Sequence, residues 1–568
     1  MQKTWKKKDN CTLLTEVLER NTGIPVNELI NPPSDYYIQN MMEAADMIMG
    51  GIRAGRHFVI YGDYDCDGIT SSSILYLLMK SLGVEPDVIL PKRFSEGYGL
   101  NMKRAQELPE GCFLITIDNG VAAVDQIRAA KDRGCTVVVI DHHLRREDGI
   151  LPDADLIVDP NALDGSDFNG YCAAGLAYKL ACTMSHDWEL LQKLLPLAAI
   201  GTVADVMRLL YDNRNIVIGG LRNLNSGVAP LGLRVLCSVF DLSYVTEGDF
   251  GFRFGPVMNA SGRLHDNGAE EVFRLLTTDD PEYAKQLAQQ LVDVNEQRKH
   301  IVFEGDQTCE LLMSEGGLYG NAPIVVYSTK DCPYGLLHEG VVGIHAGHLA
   351  ETYRVPAIVL TETEPGILKG SARSIPQVHL KNLLDTCKDL MLGYGGHAGA
   401  AGLRVAVNQV ETFRAKLQEE YKKLNIPDVN LDVGEYDLEV PLRLIVPAIK
   451  KVERYGPYGE GNPQIVFKVP DVVLTPRQGQ FYKAMGATGT SIKLFCQDVD
   501  IMGFGMLEEF RNAGEPTTLN LYGCLSFNRF AGKETPQVEL IGFENAALKN
   551  TTRLSAMLKE RFRNFGGG

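Results

Sequence analysis

The stretch VIYGDYDCDGITSSSIL, Val59 to Leu75, sets Asp63, Asp65 and Asp67 on alternate residues directly after an apolar run. Other acids and histidines follow the same pattern. Asp118 closes FLITID, Asp141, His142 and His143 close TVVVIDHH, and Asp205 lies in the apolar run AAIGTVADVM. Like charges gathered at one rim repel and raise one another's pKa. Divalent cations remove that repulsion. Oxygen and imidazole donors suit Mn2+ better than a thiolate-seeking metal, with Mg2+ or Zn2+ as alternatives. Alternate spacing lets Asp65 and Asp67 reach neighbouring ions from one turn, and Asp118 could bridge two. Any one Asp after a strand reads equally well as a helix cap; the joint pattern is what points to metal chemistry. There is no HExxH, so a zinc protease is not supported.

These groups need a frame that brings them together. HFVIYG (57–62), PDVILP, CFLITID (112–118), CTVVVID (135–141) and ADLIVDP read as short apolar strands. Helical patterns alternate with them over 35–55, 69–82 and 121–133. The 35–55 helix carries apolar positions at Tyr37, Met41, Ala45, Ile48 and Ile52. Such alternation implies an α/β fold with a mostly parallel, doubly wound sheet, whose sites form at the carboxyl ends of the strands. Residues 277–312 form a long amphipathic stretch that could join two lobes. A second α/β region contains APIVVYS, VPAIVLT, LKGSARSI and the glycine-rich GYGGHAGAAGL (393–403). After about residue 430, short strands with glycine and aromatics point to a small β-barrel.

With 568 residues the chain is long enough for several domains, and its hydrophobic and charged fractions are those of a soluble globular protein. No apolar run is long enough to cross a bilayer, and the basic N-terminus lacks a signal-type apolar core. The twelve cysteines show no zinc-finger spacing, so reduced cytoplasmic thiols are expected. The net charge of −16 argues against a broad duplex-coating face, and is compatible with a local basic channel.

DYDCDG and IDHH resemble the signature of the DHH phosphoesterase superfamily. PKRFSEGYGL, NASGRL, GSARS, GGHAGAAG and YGPYGEGNP extend the resemblance to its RecJ family of single-strand-specific exonucleases, in that family's order over residues 50–545. The resemblance implies an N-terminal extension packing on the DHH domain (1–50), a DHH catalytic domain (51–275), a linking helix (276–315), an α/β DHHA1 domain (316–428), an OB-fold (429–546) and a basic helix and tail (547–568). It implies two divalent ions, Mn2+ before Mg2+, held by Asp63, Asp65, Asp67, Asp118, His142 and Asp205. Asp141 would orient a histidine, and His143 would contact the scissile phosphate or assist protonation. Three positions depart from the family's usual pattern: Met207 and Arg208 follow ADV, and Cys66 sits inside the aspartate motif.

Glycines such as Gly395 and Gly396 let backbone N–H groups approach phosphate oxygens; a tight turn into a small-residue helix is the plainer reading. By resemblance His397 becomes a phosphate contact, while Arg93, Ser371 and Arg373 form a pocket for a terminal 5′-phosphate. Arg263 fits DNA, the interdomain hinge or a structural ion pair. Tyr98 fits base stacking or a core position. Phe481, Tyr482, Phe527, Asn528, Phe530 and Lys533 are strand-holding candidates of the β region, and equally barrel core.

The activity implied is 5′-to-3′ hydrolysis of single-stranded DNA to mononucleotides, in repair and recombination. The implied enzyme is a cytoplasmic monomer that meets no membrane and works with a single-strand-binding protein or a helicase. The rival readings are a DHH phosphodiesterase for short oligonucleotides or cyclic dinucleotides, and a non-catalytic DNA-binding scaffold.

Overall fold

The computed structural model describes residues 3–427, 433–486, 489–530 and 533–546. The C-terminal segment 547–568 and the side chain of Phe530 lie outside them.

Five parallel strands form the first sheet, in the spatial order Asp87–Ile89, Phe58–Tyr61, Phe113–Ile117, Thr136–Ile140, Leu156–Val158. The chain runs out from the second of these to one edge, then returns and continues to the other edge. The order therefore reverses between Phe58–Tyr61 and Phe113–Ile117, which is where doubly wound sheets open a ligand crevice. Phe58 and Ile60 face one core, with the helices Met41–Arg53, Cys66–Ser81, Ala173–Met184 and Trp188–Ala204. Val59 and Tyr61 face another, with Leu100, Ile127 and Ala130. Burial on both faces is why these strands read as continuous apolar runs.

The helix Cys66–Ser81 is almost wholly buried, although it carries Thr70, Ser71, Ser72 and Ser73. Small side chains let neighbouring helices approach. The hydroxyls of Thr70, Ser71 and Ser73 are satisfied by carbonyls one turn back. The helix expected over 35–55 begins only at Met41, because Tyr37 is tied to Asp167 by hydrogen bonds through both its N–H and its carbonyl.

The long helix runs from Pro281 to Glu315, about 52 Å at 1.5 Å per residue. Asp280 caps it and Pro281 occupies its first turn. Ala284, Leu287, Ala288 and Leu291 pack in the first lobe's core, whereas Cys309 and Met313 pack in the second lobe's. The second sheet has the order Gly393–Gly396, Ala400–Ala406, Ile367–Arg373, Ala357–Glu364, Ile324–Ser328, antiparallel except for its last pair. Its glycine-rich segment is thus a hairpin, not a turn into a helix. A seven-stranded sheet follows, centred on the long antiparallel pair Thr518–Phe530 and Lys533–Asn545.

The N-terminal extension packs as expected only in part. Residues 34–53 lie on the first lobe, through Ile38 and the helix Met41–Arg53 in its core and through hydrogen bonds of Ser34, Tyr37, Gln39 and Asn40. Thr4–Lys7 instead pairs in parallel with Val433–Tyr436, and Val17, Leu18, Ile24 and Leu29 join the core of the C-terminal β region. The physical reason is a ready edge at Val433–Tyr436 and apolar partners there for the faces of two short helices.

Candidate metal and phosphate site

Three of the sheet's strand ends and one helix end meet at the crevice. Asp63, Asp65 and Asp67 follow the strand Phe58–Tyr61, and Asp118 follows its neighbour Phe113–Ile117. Those two strands flank the reversal of strand order. His142 follows the next strand, and Asp205 ends the helix Trp188–Ala204. His142 Nε2 lies 3.1 Å from Asp118 Oδ1 and 3.7 Å from both Asp67 Oδ2 and Asp205 Oδ2. Among the described residues, Asp63, Asp65 and Asp118 form one cluster of converging donor atoms and Asp67, His142 and Asp205 a second. Asp118, His142 and His143 form a third, so Asp118 and His142 connect the other two.

The three aspartates of the loop are held by backbone N–H groups, Asp63 by that of Gly99. Asp65 Oδ1 accepts from the N–H groups of Asp67 and Gly68, 3.0 Å each, and so caps the helix Cys66–Ser81. Capping and metal binding do not compete here, since the other oxygen stays free of that role. The two oxygens of Asp67 accept the N–H groups of Ala173 and Ala174 at the start of the next helix. Asp118 sits at φ +63 and the exposed Val206, next to Asp205, at φ +55. Left-handed backbone at a β-branched residue is strained, and strain of this kind gathers at functional sites.

The electrostatics call for cations. Burial, then Asp67, Asp65 and Asp63, push the Asp118 carboxyl well above the usual range. Burial and Asp65 do the same to Asp63, and burial with Asp67 and Asp65 brings Asp205 up to about 8. Asp63 Oδ2 and Asp205 Oδ2 are buried without a hydrogen-bond partner among the described residues. Acids that repel one another and bury unpartnered oxygens fit a divalent-ion site, and the oxygen and imidazole set fits Mn2+ or Mg2+.

His143 is arranged differently. Its Nδ1 lies 2.8 Å from Asp141 Oδ1, and Asp141 is itself anchored by the N–H of Val121. Burial alone would lower the His143 pKa, but the hydrogen bond to Asp141 outweighs it and takes it up to about 9. Burial lowers that of His142. Tyr98 donates its hydroxyl to Asp118 O at 2.9 Å and lies 3.2 Å from both ring nitrogens of His143, with its ring half exposed. It is neither a core residue nor a free one.

Arginines gather beside the carboxylates. Burial, then Arg93, Arg298 and Arg373, press the Arg263 pKa down to about 10. Burial and Arg93 lower that of Arg373, whose Nη1 donates to Ser371 Oγ at 2.7 Å. Arg93 stacks over the Tyr64 ring, 5.0 Å from its centre. Arg263 approaches the carbonyl of Gly340 in the second lobe at 3.5 Å. A cluster of mutually repelling guanidinium groups is built for an anion. Across the second sheet, Ala400 pairs with Arg373, Gly402 with Ser371, and Gly396 with Ala401. Gly395, Gly396 and His397 therefore sit on an exposed hairpin joined to the Ser371 and Arg373 strand, not within the carboxylate cluster.

Sequence reasoning missed three contributors. Arg298 lies on the long helix, where one Arg looks like an ordinary surface charge. Asn259, in NASGRL, accepts the N–H of Cys66 inside the aspartate loop at 2.9 Å. Asp159 ends the strand Leu156–Val158 and holds Asn161, which donates to the carbonyl of His142; its place after an apolar run was the available signal. Phe481, Tyr482 and Phe527 pack partly buried against the β core, while Asn528 and Lys533 are exposed.

Comparison with known proteins adds three family-model matches: the DHH family N-terminal domain at residues 57–202, the DHHA1 domain at 325–423, and the RecJ OB domain at 436–542. The chain is 32% identical over 521 residues to the single-stranded-DNA-specific exonuclease RecJ of Bacillus subtilis (strain 168), covering 89% of this chain and 64% of that protein. To the Haemophilus influenzae protein of the same name it is 32% identical over 482 residues, covering 78% of this chain and 79% of that one. The crystal structure of RecJ in complex with Mn2+ from Thermus thermophilus superposes with a TM-score of 0.74 at 25% identity, over 93% of this chain and 75% of that one. The chain thus spans just under two thirds of the length of its Bacillus subtilis relative.

Proposed function

This chain belongs to the RecJ family of single-stranded-DNA-specific exonucleases, and we propose that it hydrolyses single-stranded DNA from the 5′ end, releasing 5′-mononucleotides. The observation that carries the reading is the pairing of linked carboxylate and carboxylate–histidine clusters with a neighbouring cluster of arginines. Asp63, Asp65, Asp67, Asp118, His142 and Asp205 would hold two divalent ions, Mn2+ or Mg2+. Bound there, such ions supply Lewis-acid stabilisation of the phosphate and a more acidic water.

The chain's own residues do the rest. Arg93, Arg263, Arg373 and Ser371 bind the terminal 5′-phosphate, and Arg298 adds to the field around it. The distance from that pocket to the carboxylates sets the length of the unit removed. His143, fixed by Asp141 and Tyr98, holds a proton beside the scissile phosphate for the leaving oxygen. Gly395, Gly396 and His397 approach the backbone from the second lobe, and the C-terminal β domain holds the incoming strand. We place domain limits near 51–275, 276–315, 316–428 and 429–546; shared apolar cores among the described residues support the reading, with residues 3–30 joined to the last. A helicase or single-strand-binding protein would supply the unpaired strand. Twelve free thiols suit a reducing cytoplasm, and no helix among the described residues is long and apolar enough to cross a membrane.

Digestion of end-labelled single strands, with and without a 5′-phosphate, in Mn2+ or Mg2+, tests this. Mononucleotides should appear from the 5′ end, faster from phosphorylated strands, and Asp118→Ala should abolish them. Release from the 3′ end, or preference for dinucleotides over long strands, would overturn the reading.

A further inference from the structure

Residues Phe250–Phe254 form a single π-helical turn that runs straight into the helix Gly255–Leu264. The N–H of Gly255 bonds to the carbonyl of Phe250, five residues back. Phe250 and Phe254 are fully buried, whereas Phe252 between them is 85% exposed. A π-turn has poorer hydrogen-bond geometry than an α-turn and occurs most often at functional sites. Here its result is one phenyl ring set out in solvent on a turn whose other two are locked in the core.

The position of that ring matters. The π-turn packs on the end of the helix that delivers Asp205: a Cβ on Gly251 would lie 3.7 Å from Val203, and one on Gly255 3.2 Å from Ala204. Farther along the same segment, Asn259 binds the N–H of Cys66 in the aspartate loop, Gly262 faces the carbonyl of Tyr64, and Arg263 stands in the arginine cluster. Asn259 and Arg263, four residues apart, share one face of the helix Gly255–Leu264, and Phe252 stands on the π-turn that precedes it. Eleven residues separate Phe252 from Arg263, about 16 Å along the axis. One continuous helical segment therefore links the arginines, the aspartate loop and the exposed phenyl ring.

We propose that Phe252 is a positioning residue: a stacking platform for a nucleobase of the single strand on the 3′ side of the scissile bond. The inference rests on the reading above, in which the 5′-phosphate lies at Arg263 and the scissile phosphate at the carboxylates. A strand laid from the first to the second continues towards Phe252. An aromatic face accepts any base, which suits an enzyme that must not read sequence. Stacking there holds the strand still while the terminal linkage is cut, and re-forms one base later after each step.

The test walks a single abasic site along a 5′-phosphorylated oligonucleotide and measures binding in an Asp118→Ala background, with Phe252 intact and with Phe252→Ala. One abasic position a few nucleotides from the 5′ end should weaken binding about tenfold when Phe252 is present and have no effect when it is absent. Phe252→Trp should restore that position's effect, and its fluorescence should be quenched by the intact strand. The same penalty at every position with and without Phe252 overturns the proposal, as does an unquenched Trp. The outcome is separable from the enzymatic reading. If the unaltered protein with Mn2+ releases no nucleotides from single strands, that reading fails. If it does release them and Phe252 shows no coupling, the stacking platform alone fails.

Discussion

A Cβ on Gly68 would lie 2.7 Å from the backbone N, C and O atoms of Asp63. The first turn of the helix Cys66–Ser81 is thus pressed onto the end of the preceding strand. That contact folds the aspartate loop so that Asp63, Asp65 and Asp67 face one cavity. Gly68→Ala must lift the helix off the strand, and overpacking of this kind costs about 1–3 kcal/mol. We expect a lower Tm and, in calorimetry, a loss of Mn2+ binding greater than the stability loss explains. Native Mn2+ affinity in this variant would show that the close contact is incidental.

Asp118 stands among Asp67, Asp65, Asp63 and Asp141, all of which disfavour its charge. Without cations the cluster is therefore a source of instability. Asp118→Asn removes one charge at nearly constant volume. In chelator the variant should melt higher than the parent, and in Mn2+ the order should reverse, because a connecting ligand is gone. Thermal melts in the two buffers decide it; a variant less stable in both would mean the acids are held by something other than metal.

How far these features were legible depended on where their partners lay in the chain. The parallel strands were readable because both faces are buried, leaving unbroken apolar runs, and the acids at their ends followed from sheet geometry. Arg298 was not readable: an isolated Arg on an amphipathic helix differs in no local way from a solvated one, and only the packing of the helix Gly255–Leu264 on the long helix puts it beside Arg263. The hairpin at 393–406 was hidden because glycine carries no strand propensity; its pairing with Ile367–Arg373 fixes it. The docking of Thr4–Lys7 on Val433–Tyr436 was invisible for the same reason as Arg298, since its cause lies more than four hundred residues away.

Arg373 donates to Ser371 and is destabilised as a cation by its burial and by Arg93. An anion between these groups gains charge-assisted hydrogen bonds worth about 1.5–3 kcal/mol. Arg373→Ala should therefore raise KM for 5′-phosphorylated strands about ten- to hundredfold. For strands ending in a 5′-hydroxyl, which offer those groups no terminal phosphate, the rise should be much smaller. An equal loss on both substrates would move the 5′-phosphate elsewhere.

Asp306 on the long helix joins the second lobe through His345 Nδ1 at 2.7 Å and His348 Nδ1 at 2.9 Å. Burial alone would raise its pKa, but the two histidine hydrogen bonds prevail and bring it from 3.8 to about 2. A depressed carboxyl pKa gives stability that is present above the unfolded value and lost as pH falls through the folded one. The His348 pKa is raised by the same bond, so its share is present below 6.5 and fades as pH rises past that value. Asp306→Asn should lower the Tm most near pH 5–6, with the gap to the parent narrowing below pH 4 and again in alkali. A gap independent of pH would indicate lost packing without an ionic contribution.

Trp5 stacks on Tyr522 with ring centres 4.2 Å apart and planes 5° from parallel. Its ring occupies the space above Gly434 and Gly542, where added Cβ atoms would approach to 2.6 and 2.5 Å. Arg20 adds ion pairs to Asp9 and Asp437. The first thirty residues are thus chiefly a clasp on the C-terminal β domain, meeting the lobe that follows them at its edge, where Arg214 donates to the carbonyl of Leu29. Trp5→Ala empties an aromatic site at a cost of about 3 kcal/mol, and that cost should fall on the β domain alone. Hydrogen exchange reads this directly: strands Thr518–Phe530 and Lys533–Asn545 should exchange faster, while Phe58–Tyr61 and Phe113–Ile117 keep their protection. Faster exchange in the parallel sheet instead would place the N-terminal segment on the first lobe after all.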